Sequence, residues 1–74
     1  MQKFTKMRVQ RTSQAGTKFK THNLNAETLR RILGRKEGDS EVQGAVRRLE
    51  AGQTVLIRTK NTLGAKTEYR ITPE

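Results

Sequence analysis

Only fifteen residues of this chain of 74 are Leu, Ile, Val or Phe, which makes for a thin core, and no cysteine is present to staple it. An unaided core in a chain this short rarely supplies more than about 3–5 kcal/mol. The sequence therefore predicts one small domain around a thin apolar layer. A second copy or a bound ligand would add stability by mass action. The longest apolar run is Val55-Leu56-Ile57. It is far too short to span a bilayer, and the first residues hold no apolar stretch of the secretory kind. The absence of cysteine fits a reducing, cytoplasmic compartment.

Charge is the second constraint. The chain carries 16 Lys and Arg against 7 Asp and Glu, a formal net charge of +9. Before Leu24 there are only bases (Lys3, Lys6, Arg8, Arg11, Lys18 and Lys20), and the first carboxylate is Glu27. A one-signed segment on a mixed-charge body points to a polyanionic partner, with nucleic acid first and an acidic protein surface second.

Periodicity outlines the elements. Phe4 to Thr12 alternates apolar with basic or polar side chains, as a strand does, and Thr17 to Thr21 does so again across Ser13-Gln14-Ala15-Gly16. Residues 1–24 thus read as a basic strand or hairpin, or else as a flexible arm, since an isolated hairpin is marginal in water. Asn25 is a ready N-cap, Leu29, Ile32 and Leu33 share a helical face, and Gly34 offers the stop. Beyond the turn Glu37-Gly38-Asp39, either Asp39 or Ser40 can cap a second helix, whose stripe is Val42, Ala45, Val46 and Leu49 and whose end is Gly52. Gln53 to Lys60 and Lys66 to Thr72 read as two strands around the Asn61-to-Ala65 loop, closed by Pro73. The fold class is α+β: a basic strand or hairpin, two helices and a β-hairpin.

Residues 25–74 carry a resemblance. Glu27-Thr28-Leu29-Arg30-Arg31-Ile32-Leu33-Gly34, then Val42 to Gly52, then the closing hairpin together resemble a winged helix-turn-helix domain, with the hairpin as its wing. The segment before them is β-like where the superfamily usually has a helix. The resemblance implies a second helix seated in the major groove of double-stranded DNA and a wing that tracks phosphates. It places Ser40, Gln43, Gly44 and Arg47 toward the groove, with Arg48 beside them. Arg58, Lys60 and Lys66 become wing contacts, and the N-terminal bases Lys3, Lys6, Arg8, Arg11, Lys18 and Lys20 add further phosphate contacts. The expectation is a small winged-helix-like regulator of transcription, bacterial or phage in setting, possible also as a homodimer. The long turn, Gly44 and the missing first helix keep open a protein-binding inhibitor or adaptor docking on a host enzyme such as RNA polymerase or a nuclease. An RNA- or ribosome-binding protein is a third option, because a basic hairpin can follow an RNA backbone.

Enzyme chemistry is not expected. His22 is the only histidine and has no nucleophile or orienting acid at a suitable spacing. It reads as a surface residue near the first helix. Glu37, Asp39 and Glu41 lack the glycine and distal glutamate of a calcium loop, and helix capping explains them better. No phosphate-binding glycine loop or zinc spacing occurs, so neither cofactor nor metal is expected. Phe4 and Phe19 lie among bases, the interleaving that single-strand binders use, although packing is the simpler role.

Overall fold

The computed structural model describes residues 4–60 and 63–74. In chain order the elements are β1 (Lys6–Ser13), β2 (Gly16–Asn23), α1 (Ala26–Leu33), α2 (Ser40–Glu50), β3 (Val55–Lys60) and β4 (Lys66–Pro73). The domain is a small α+β fold: a four-stranded antiparallel sheet with two helices.

The spatial order departs from the expected one. The closing hairpin is no separate wing, and residues 6–23 form a hairpin of the same sheet rather than a separate arm. The strands lie in the order β2-β1-β4-β3, so the two hairpins join through β1 and β4 into one sheet. Val9 sits opposite Ile71 and Arg11 opposite Tyr69 along that seam. The physical reason is the thin core. Two strands and two short helices cannot enclose enough apolar surface, and β1 contributes Met7 and Val9, both buried. They join Leu29, Leu33, Val42, Ala45, Leu49, Val55, Ile57, Tyr69 and Ile71 in one cluster, with Leu24, Ile32 and Val46 packed against it.

Element boundaries moved for local reasons. The first turn shrinks to Gln14-Ala15, because Gly16, at φ +120°, already pairs with Ser13. A side chain rarely adopts that backbone angle, so glycine lets the ladder begin directly after the turn. β3 starts at Val55 rather than Gln53, because the Gln53 N–H donates to the Arg48 carbonyl (2.9 Å) and closes α2. Gly52 donates to Leu49 in the same motif (3.0 Å), the paired bonds by which a glycine seals a helix C-terminus. α1 ends in the same way, through Gly34 to Arg31 and Arg35 to Arg30.

The helix starts follow their caps. The Asn25 side-chain oxygen accepts the Thr28 N–H at 2.7 Å. For α2 the cap is Asp39, whose Oδ1 accepts from the Glu41 and Val42 N–H groups at 2.9 and 3.1 Å. Helices this short are unstable alone, so caps and packing must hold them. Asn25→Ala should cost about 1 kcal/mol, read as a lower urea midpoint with unchanged slope. Asn25→Asp should restore most of it. If Asn25→Ala leaves the midpoint where it was, the cap contributes nothing to stability.

Candidate nucleic-acid interface

The strands alternate, so burial at Met7, Val9, Val55, Ile57, Tyr69 and Ile71 assigns both faces of the sheet. α2 packs over β3 and β4, and α1 packs beside α2. Among the described residues no helix lies on the other face of the sheet. The pairing puts Lys6, Arg8, Gln10 and Thr12 of β1 on this uncovered face, beside Thr17, Phe19, Thr21 and Asn23 of β2. From the other hairpin come Leu56, Arg58 and Lys60 of β3 and Lys66, Glu68, Arg70 and Thr72 of β4.

Folding sorts charge by layer. The four strands hold nine Lys and Arg and one acid, Glu68. From Ala26 to Glu50 six bases meet five acids. There the charges engage each other: Glu27 pairs with Arg30 (2.8 Å) and Arg31 (3.0 Å), and Glu41 with Arg35 (3.2 Å). The Arg30 hydrogen bond, with the nearby guanidinium charges, holds the Glu27 carboxyl below the usual carboxylate range. That favourable contact is present above the ordinary glutamate pKa and fades as acid protonates it. The helix layer thus has little net field to offer.

On the uncovered face six bases (Lys6, Arg8, Arg58, Lys60, Lys66 and Arg70) surround one strand acid. Arg58 reaches Glu68 at 3.6 Å, with the arginine largely exposed and the glutamate half-buried, and a pair this open to solvent is worth little. The Lys6 ammonium donates to the Asn23 amide oxygen. The Arg8 guanidinium lies 4.5 Å above the centre of the Phe19 ring, a cation–π contact worth about 0.5–1 kcal/mol at an exposed site. Even so, Phe19 is 55% exposed and Leu56 47%. Phe4 differs, for its ring edge rests against Gly52, 3.3 Å from where a Cβ would stand.

The remaining N-terminal bases point the other way. Arg11, Lys18 and Lys20 share the helix-side face with Met7 and Val9, which corrects their grouping with Lys6 and Arg8. The cause is parity: a residue an odd number of places along a strand lies on the opposite face. They rim an open groove of about 430 Å³ whose floor includes Val9, Ile32 and Tyr69 and whose wall holds His22. Burial, then the charge of Lys20, lowers the His22 pKa and so favours the neutral imidazole. Lys3 and the loop residues Asn61 and Thr62 lie outside the described residues.

The α2 candidates divide as well. Ser40, Gly44 and Arg48 line one groove of about 420 Å³ with Glu41, Leu56 and Arg58, along the β3 edge. Gln43 lies on the other side, in a groove with Ala26, Glu27, Arg30 and Asp39. Arg47 is exposed. Gly44 leaves the middle of the outer α2 face without a side chain.

Sequence reasoning missed Arg70, Gln10 and Leu56 as site residues and set Phe19 aside. The alternation Tyr69-Arg70-Ile71 already sends Arg70 away from the core. No local signal says that the face receiving it stays uncovered. Among the described residues no helix is long and apolar enough to cross a membrane. Compared with family models, curated proteins and solved structures, the chain matches none.

Proposed function

We propose that this protein binds nucleic acid through the uncovered face of its sheet. The observation that carries the reading is the layered charge: six bases around a single strand acid on the uncovered face, whereas on the helix side Arg11, Lys18 and Lys20 lie beside helices whose six bases meet five acids. Strand side chains stand at fixed spacings on a rigid surface, so the bases need little ordering to meet a row of phosphates. Phosphate contacts then dominate affinity, and counterion release makes it steeply salt-dependent.

The test is a salt series. A labelled random duplex and a single strand of matched sequence are titrated by fluorescence anisotropy at several salt concentrations. Expected is binding at low salt, with log affinity falling linearly in log salt by about 0.7–0.9 per phosphate contacted. No binding to either at low salt, or affinity indifferent to salt, overturns the reading.

A second reading keeps the major-groove model. The groove along β3 brings Ser40, Gly44, Arg48 and Arg58 together, which favours a duplex lying against α2 and the closing hairpin. It predicts that Arg47→Ala and Arg48→Ala weaken duplex binding more than Arg8→Ala and Arg70→Ala do.

A further inference from the structure

We infer that the uncovered face takes single-stranded nucleic acid by stacking an unpaired base on Phe19, an inference that rests on the nucleic-acid reading above. Phe19, Gln10, Arg70 and Leu56 fall in one transverse row across β2, β1, β4 and β3. Adjacent strands are about 4.8 Å apart, so the row spans about 14 Å. It sets an aromatic ring, an amide able to donate and accept, a guanidinium and an aliphatic side chain side by side.

Phe19 is the decisive member. More than half of its surface meets solvent, although the chain has few apolar residues to spare and β2 buries no hydrophobic side chain. Exposure of this kind costs core area, and the Arg8 contact returns only part of that loss. Arg8 covers one face of the ring and steadies it, so a base would stack on the other face. Every base offers a π-face to such a ring, and an arginine nearby strengthens the contact. A base inside a duplex cannot reach the ring, because its faces are already stacked on neighbours. Arg70, in the same row, and Lys66, on the same strand, would take flanking phosphates, which gives the site a charge component separable from its stacking component.

The test uses the full chain and a labelled oligothymidylate of about twelve nucleotides, with oligouridylate as the ribose arm and a random duplex as comparison. Phe19→Leu keeps an apolar side chain and removes the π-face. It should weaken single-strand binding by about five- to a hundredfold while leaving the salt slope unchanged and lowering the urea midpoint only slightly, through the lost Arg8 contact. Phe19→Trp should retain affinity. Since the chain has no tryptophan, the new indole is a lone reporter, and its fluorescence should be quenched when the oligonucleotide binds. Wild-type affinity in Phe19→Leu, or no quenching of the indole on binding, overturns the stacking site. If in that case the wild type still binds duplex with a steep salt slope, the nucleic-acid reading stands without it. A wild-type chain that binds no polyanion at low salt sinks both.

Discussion

Leu49→Ala should leave much of the protein unfolded in plain buffer at 25 °C. Leu49 is fully buried where α2 meets the sheet, in the same cluster as Leu29, Val55 and Ile71. Truncating a buried leucine costs about 2–5 kcal/mol, because the lost transfer energy is joined by the cavity that stays behind. A core of this size supplies about 3–5 kcal/mol in all. The two figures overlap, so one substitution can consume the stability of the domain. The matched control is Leu56→Ala. Leu56 differs from Leu49 not in kind but in place, on the uncovered face and 47% exposed. Its loss should move the urea midpoint by no more than about 0.5 kcal/mol in equivalent stability. Equal losses in the two variants would mean that the helices do not pack on the inner face of the sheet. A polyanion that binds the folded state should partly rescue Leu49→Ala, by mass action.

Reversing charge on one layer should separate a dedicated surface from mere net charge. In one variant Arg8, Lys66 and Arg70 become Glu. In the other Arg31, Lys36 and Arg47 become Glu. Both lower net charge by the same amount, and both sets lie on exposed positions. If phosphates lie along the uncovered face, the sheet variant should lose at least about a hundredfold in affinity at low salt, and its salt slope should fall by about one for each contact removed. The helix-layer variant should lose only a few-fold, through the weakened field beyond a Debye length of about 10 Å at 0.1 M salt. Anisotropy against the same labelled oligonucleotide reads both. Equal losses would show that only net charge matters. A larger loss in the helix-layer variant would move the contact surface to α2 and restore the major-groove model. Arg31 is paired with Glu27, so circular dichroism of the second variant should confirm that α1 persists.

Local structure was legible where a residue's own chemistry decides it. Asn25 caps α1 because a short oxygen-bearing side chain can satisfy the first free N–H groups, whatever surrounds it, and the same chemistry narrowed the α2 cap to Asp39 or Ser40, of which the structure uses Asp39. Gly34 and Gly52 end helices because their positive φ angles favour glycine in any fold. The stripe of Val42, Ala45 and Leu49 is buried because helical spacing puts those residues together. The inward sets of β1, β3 and β4 follow from alternation, but β2 breaks the pattern, with its one apolar residue, Phe19, facing out and Lys18 and Lys20 on the helix side. The five described N-terminal bases divide between the two faces, because alternation imposes a parity that a charge count along the chain ignores. Lys6 and Arg8 face one way, and Arg11, Lys18 and Lys20 the other.

The sequence by itself determined the α1 cap, the glycine stops, the helical stripe and the excess of positive charge, since each depends on residues a few places apart. Only the tertiary structure decided that β1 pairs with β4, that the helices cover one side of the sheet, and that Phe19 and Arg70 share a row on the other. Pairing β1 with β4 joins residues about sixty positions apart, and no local preference encodes that choice. What selects it is the need of a thin core to gather Met7 and Val9 with Val55, Tyr69 and Ile71 under two short helices. Once that side is closed, the opposite face is left to the bases.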